Sequence, residues 1–175
     1  MRHTHSVIGA ACLIPALWQA ILVLVEEGAM RDQYWWVNQG KTWEQERRGG
    51  YVWAPTHDPR GATKNFWTRV RTIETGDRIV SYVRGRLVAI GTSISDGYEA
   101  ERPGDLPDLW TRRGYRADIR YQSLPRDIPL ERIPMRWREG GKEDPFRVTG
   151  AVKIGYLFPI SQSFFTELLE LADAG

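Results

Sequence analysis

Between Tyr34 and Pro55 the chain reads YWWVNQGKTWEQERRGGYVWAP, a stretch that holds four of the eight tryptophans. Tryptophans, an Asn–Gln pair and nearby arginines are suited to holding one flat, uncharged ring. Aromatic faces stack on such a ring, amides offer its edge both a donor and an acceptor, and guanidinium groups fork to phosphate. A nucleobase fits all three. Trp53 is the candidate for one stacking face and Trp110 for the other. Asn38 and Gln39 are the candidate edge readers, Asp96 can accept from an exocyclic amine, and Tyr98 can close the cage. Each has a plainer reading. Tryptophan is ordinarily core or half-buried, Asn is common where strands end, and Asp96 and Tyr98 suit a loop cap and a surface aromatic. Trp35, Trp36, Trp43 and Trp67 are assigned mainly to the core, with Trp35 and Trp36 on opposite faces of a strand.

The basic residues fall into three groups: Lys41, Arg47 and Arg48; Arg60 and Lys64; and Arg112, Arg113 and Arg116. All border the segments above. As phosphate contacts they position a nucleic acid without reading its sequence, and for any single arginine a solvated surface is the plainer reading. Arginine far outnumbers lysine, although the net charge is only +2.

Other chemistry is poorly represented. No G-x-S-x-G, phosphate-binding G-x-x-x-x-G-K-S/T or H-E-x-x-H pattern occurs. One cysteine, Cys12, and three histidines, His3, His5 and His57, make neither a disulfide framework nor a usual zinc site. Nothing fixes the spacing of Asp77, Asp96 and Asp118 as a carboxylate pair. The expectation is a binding module without catalysis, metal or cofactor, in a reducing, cytoplasmic setting.

The elements that must position these residues follow from local pattern. Tyr34–Val37 reads as a strand. Thr42 with Gln45 forms a capping-box pattern for a short helix ended by Gly49-Gly50. Tyr51–Ala54 is a second strand stopped by Pro55, and residues 56–64 are a polar loop. Asn65 is expected to cap a helix with Phe66, Val70 and Ile73 at helical spacing. Strands flank Arg84-Gly85, a tight hairpin turn. Residues 96–109 are a long loop rich in Pro, Gly and acid, and Tyr115–Gln122 is a strand. Ser161 caps a final amphipathic helix that buries Phe164, Phe165, Leu168, Leu169 and Ala172. Hairpins in the middle and a helix at the end predict an α+β fold around a small, curved, mostly antiparallel, barrel-like sheet flanked by helices.

Residues 1–29 differ in character. Ser6–Val25 is twenty residues without a charge, long enough to span a bilayer. Three readings stand: an upstream start ahead of a true beginning at Met30, a signal or membrane anchor, or an extra packed helix. The domain proper is expected over 30–175, with membrane attachment the less favoured arrangement.

WVNQGKTWEQERRGGYVWAP, GDRIVSYVRGRLVAIGTSISDGYEAERP, WTRRGYRADIRY and GYLFPIS, in that order, resemble the EVE domain of the PUA-like superfamily. The resemblance is closest to EVE-like modules of modification-dependent restriction systems. The order of elements is also similar to the related YTH domain, through Val52-Trp53-Ala54 and the segment Trp110 to Tyr121. The resemblance implies a module that reads one modified base, flipped out of its stack into an aromatic cage. EVE-like restriction modules imply 5-methylcytosine or 5-hydroxymethylcytosine in DNA, and YTH domains imply N6-methyladenine, mostly in RNA. By position, Trp53 corresponds to the first cage tryptophan of YTH domains and Trp110 falls near the second. Asn38 and Gln39 fall where base-edge groups stand. A nuclease or AAA-type effector on a separate chain is the partner this implies.

Overall fold

The computed structural model describes residues 33–108 and 110–174, all within the unit Asp32–Gly175. The expectations for residues 1–29 lie outside the described residues. The elements run β1 (Tyr34–Asn38), α1 (Trp43–Gly49), β2 (Tyr51–Pro55), α2 (Asn65–Thr68), β3 (Arg78–Val83), β4 (Arg86–Ser93), β5 (Tyr98–Glu101), β6 (Arg113–Pro129), β7 (Leu157–Ile160) and α3 (Gln162–Asp173). Short 3-10 turns occupy Arg69–Thr72, Leu130–Arg132 and Met135–Trp137.

The strands form a curled, half-barrel mixed sheet in the order β2-β6-β4-β3-β1-β7, with β5 also on β6. Only β1–β3 is parallel; the other pairs are antiparallel. The seventeen-residue β6 joins the parts. Its first half lies between β2 and β5, and the rest pairs with β4. Register shifts at Ser81/Tyr82 and Leu87/Ala89 bend the sheet. The fold is α+β, as expected.

Alternation along β1 builds two cores. Trp35 and Val37 enter the core inside the curl with Val52, Ala54, Ile79 and Ile119. Tyr34 and Trp36 face α3, with Tyr34 against Phe165 at 5.0 Å and Trp36 against Phe164 at 6.4 Å between ring centroids, and Phe146 packs on Trp36 at 5.1 Å from the loop before β7. The Trp35 indole N–H donates to the buried Asp77 carboxylate (2.7 Å), which also accepts from the backbone N–H of Gln33 and Glu74. Asp77 is therefore committed to structure. In α3, Ser161 Oγ accepts from Phe164 N–H at 3.2 Å, and the five apolar side chains named above are buried.

Three local expectations change. Thr42 precedes α1 but makes no capping bond; its hydroxyl serves the Glu46 carboxylate instead. Asn65 is the first residue of α2 rather than its cap, and regular helix lasts only four residues before tightening to 3-10. Part of the acidic loop, Tyr98–Glu101, is a strand held along the edge of β6.

Candidate functional site

The end of β1, the end of β2, α2 and the segment before β7 converge on a cavity of about 330 Å³. Five aromatic side chains line it: Trp53, Phe66, Trp67, Trp110 and Tyr156. Asn38, Gly40, Lys41, Thr42, Ala54, Pro55, Ile154 and Gly155 complete the wall, which contains no carboxylate. The volume lies near the lower end for small-molecule sites, about 300–1,000 Å³, and suits one ring rather than an extended ligand.

Two glycines let the walls close up. A Cβ on Gly114 would stand 2.3 Å from the Trp53 ring and 2.5 Å from the Ala54 carbonyl, so the indole lies directly over the β6 backbone. A Cβ on Gly155 would stand 2.4 Å from Phe158 and 3.1 Å from Phe66. Trp53 is 3% exposed. Its outer cluster contains Tyr51 and Leu106, with Trp110 packed against it. The Trp53 and Trp110 centroids are 6.4 Å apart with planes 55° from parallel. A sandwiched base needs roughly 7 Å between parallel planes, twice a carbon contact distance. Trp110 must therefore turn outward before both faces can grip one base.

Behind the wall lies a buried polar network. Glu46 on α1 is fully buried. It accepts from Tyr156 Oη–H at 2.7 Å and from Gln39 Nε2. Burial pushes its carboxyl up to about 7, against the opposing hydrogen bonds from Tyr156, Gln39, Thr42 and the Trp53 backbone. Burial likewise holds the Tyr156 and Tyr121 hydroxyls well above the usual phenol range. Tyr156 Oη also accepts from Trp53 N–H at 3.1 Å, which ties the stacking strand to the segment before β7.

The structure brings together Trp53, Trp110, Asn38 and Lys41, all lining the cavity. It gives Asn38 a different task from the one expected. Its Nδ2 donates to the carbonyls of Lys153 (3.1 Å) and Gly155 (2.8 Å), and its Oδ1 accepts from Trp36 Nε1 (2.8 Å). Both amide hydrogens are used inside the protein, so Asn38 has no donor left for a base edge. Gln39 is 0% exposed and does not line the cavity; Nε2 is shared between Glu46 and Tyr121, and Oε1 is buried with no partner among the described residues. The chain direction explains the miss: where β1 ends, successive residues point to opposite sides.

Asp96 and Tyr98 do not line the cavity either. Asp96 Oδ1 accepts from Thr75 N–H (2.9 Å) and Thr75 Oγ1 (3.0 Å), which lowers its pKa. Tyr98 lies on β5 and donates to Asp118 Oδ2 at 3.1 Å. Trp67 packs against the core, as assigned above, and also lies in the cavity wall, where Phe66, Ile154 and Tyr156 join it.

The basic groups divide. Lys41, Arg60, Lys64 and Arg113 are exposed and make no direct ion pair among the described residues, although Asp58 lies near enough to Lys64 and Arg60 for their charges to help lower its pKa. Arg48 pairs with Asp105 (3.0 Å) and Arg112 with Glu101 (3.0 Å), while Arg47 stands 3.9 Å from Glu44. Arg116 is committed to Asp118 and lies 4.5 Å over the Tyr51 ring. No cluster able to hold a metal ion occurs among the described residues, and no described helix is long and apolar enough to cross a membrane.

No protein-family model matches the sequence, and no curated protein matches it. Solved structures do. The YTH domain of Pho92, solved in complex with m6A, superposes with a TM-score of 0.51 at 13% identity, covering 81% of this chain and 86% of that one. A protein from Pseudomonas putida gives 0.51 at 15% identity, covering 79% and 99%. The N-terminal domain of Staphylothermus marinus McrB gives 0.47 at 14% identity, covering 82% and 94%. The first two share this chain's fold.

Proposed function

We propose that this chain is a nucleic-acid-binding module that holds one displaced, modified base in the Trp53–Trp110 cavity. The observation that carries this reading is the wall itself: five aromatic side chains around a space of about 330 Å³, with no carboxylate and with Lys41 in the rim. Stacking is worth about 1–3 kcal/mol per base and offsets the few kcal/mol that displacing a base costs. Of the basic residues grouped by the sequence, Lys41, Arg60, Lys64 and Arg113 make no direct ion pair among the described residues and are the ones left to meet phosphates. The edge of the base is read by groups other than Asn38 Nδ2. Candidates are the remaining lone pair of Asn38 Oδ1 and the backbone N–H groups of Gly40 and Lys41, which have no acceptor among the described residues.

5-Methylcytosine or 5-hydroxymethylcytosine in DNA is the favoured ligand, on the resemblance to EVE-like restriction modules. The second reading is N6-methyladenine in RNA, supported by the fold shared with a YTH domain solved with m6A. An apolar wall favours an added methyl by about 1 kcal/mol, roughly fivefold in affinity. The module itself is not catalytic in this reading; a nuclease or AAA-type motor on another chain acts on the bound site.

The test titrates the full chain against matched oligonucleotides with cytosine, 5-methylcytosine, 5-hydroxymethylcytosine, adenine or N6-methyladenine, as DNA and as RNA. Preference for one modified base, lost at least tenfold in Trp110→Ala, is the expected result. Equal affinity for all, or no binding, overturns the reading.

A further inference from the structure

Ile154 is 86% exposed, yet it stands in the wall of an otherwise aromatic cavity. We propose that Ile154 is an apolar wedge that enters the base stack of a DNA duplex and fills the gap left by the displaced base. The proposal rests on the reading of the cavity as a base pocket and adds that the substrate is double-stranded.

The backbone on both sides of Ile154 is fixed while its side chain is held out in water. On one side Lys153 gives its carbonyl to Asn38 Nδ2 (3.1 Å), its N–H to the Pro145 carbonyl (2.7 Å) and its Nζ to the carbonyls of Gly141 and Asp144. On the other, the Gly155 carbonyl accepts from Asn38 Nδ2 (2.8 Å), and the Tyr156 carbonyl accepts from Asn38 N–H (2.8 Å). Gly155 is pressed against Phe158 and Phe66 too closely for any side chain. Asn38 is thus a positioning residue for this segment. Its amide closes a clamp across more than a hundred residues of sequence, and what the clamp presents is a branched aliphatic side chain. Val148 is comparably exposed, at 82%, but does not line the cavity.

A displaced base leaves an unstacked step, and proteins that open duplexes fill such steps with apolar side chains. Isoleucine in water gains by being covered; full burial is worth about 10- to 100-fold in an equilibrium constant. That gain exists only where there is a stack to enter. A base in a flexible single strand leaves no gap, so Ile154 contributes little there.

The experiment uses Ile154→Ser and Ile154→Leu in the full chain. Binding is measured by anisotropy to DNA carrying 5-methylcytosine or N6-methyladenine, as a duplex and as the same strand alone. 2-Aminopurine beside the modified base reports unstacking. The expected result is about a 10- to 100-fold loss for Ile154→Ser on duplex, less than about twofold on single strand, and a weaker 2-aminopurine rise, with Ile154→Leu close to wild type. Unchanged melting of both variants confirms folding. Equal losses on duplex and single strand make Ile154 only a wall residue and overturn the wedge, as do unchanged duplex affinity or wild-type binding to single strand alone. If the wild type binds neither DNA form, the wedge is overturned; the base-pocket reading fails with it only when the matching modified RNA strands are not bound either.

Discussion

Replacing Glu46 by glutamine is expected to change how stability depends on pH. Glu46 is completely buried with no cation in its hydrogen-bonding shell. Burial raises its pKa from 4.5 to about 7. Between those values the folded chain keeps a proton that the unfolded chain releases, so rising pH favours unfolding. The Glu46 contribution to stability is therefore full below about pH 4.5, declines through the window and is constant above about pH 7. Over that interval of 4.5 to about 7, at about 1.4 kcal/mol per pH unit, the loss comes to about 3 kcal/mol. Glutamine never ionises. It can keep the Tyr156 bond, and turning over the Gln39 amide restores the second. The assay is urea unfolding of wild type and Glu46→Gln by tryptophan fluorescence at pH 4.5, 5.5, 6.5 and 8. The variant is expected to gain about 3 kcal/mol on wild type between the lowest and highest pH. The difference is the informative quantity, because Asp58 and Asp96, both with lowered pKa, push wild-type and variant curves equally in the opposite direction. A constant difference across the series would show that Glu46 titrates as in an open chain. A difference of opposite sign would show that its hydrogen bonds outweigh burial.

Asn38→Ala removes the bonds to Lys153, Gly155 and Trp36 and is expected to cost about 2–4 kcal/mol, read as a lower urea midpoint at unchanged slope. Gly114→Ala drives a methyl into the Trp53 ring and is expected to destabilise by about 1–3 kcal/mol, whereas Gly104→Ala, with nothing within 4 Å, is expected to be near neutral by the same melt. If Lys41, Arg60, Lys64 and Arg113 all meet phosphates, log affinity for DNA falls against log salt with a slope of about −3 to −4, and each Lys or Arg to Ala change reduces that slope by about 1. A slope near zero in a salt titration removes these four from the interface.

Much of the fold was legible because its causes are local. The Arg84-Gly85 turn with strands on either side, the Ser161 cap and the apolar stripe of α3 all depend on neighbours within a few positions, and all are present. So was the division of Trp35 and Trp36 between two cores, since strand alternation alone requires it. The strand β5 was not legible. YEAE has weak strand character, and only the free edge of β6, reached through the fold, supplies its hydrogen bonds. The same limit governs the site. That aromatic and amide groups gather near Tyr34–Pro55 is a property of the sequence. Which of them face the cavity was decided by partners far along the chain: Asn38 by Lys153 and Gly155, Gln39 by Tyr121, Asp96 by Thr75, and Trp53 by Tyr156 and Gly114. A side chain's residue type sets what it can bond. Which bond it makes depends on what the folded backbone brings within about 3 Å, and only the tertiary structure fixes that.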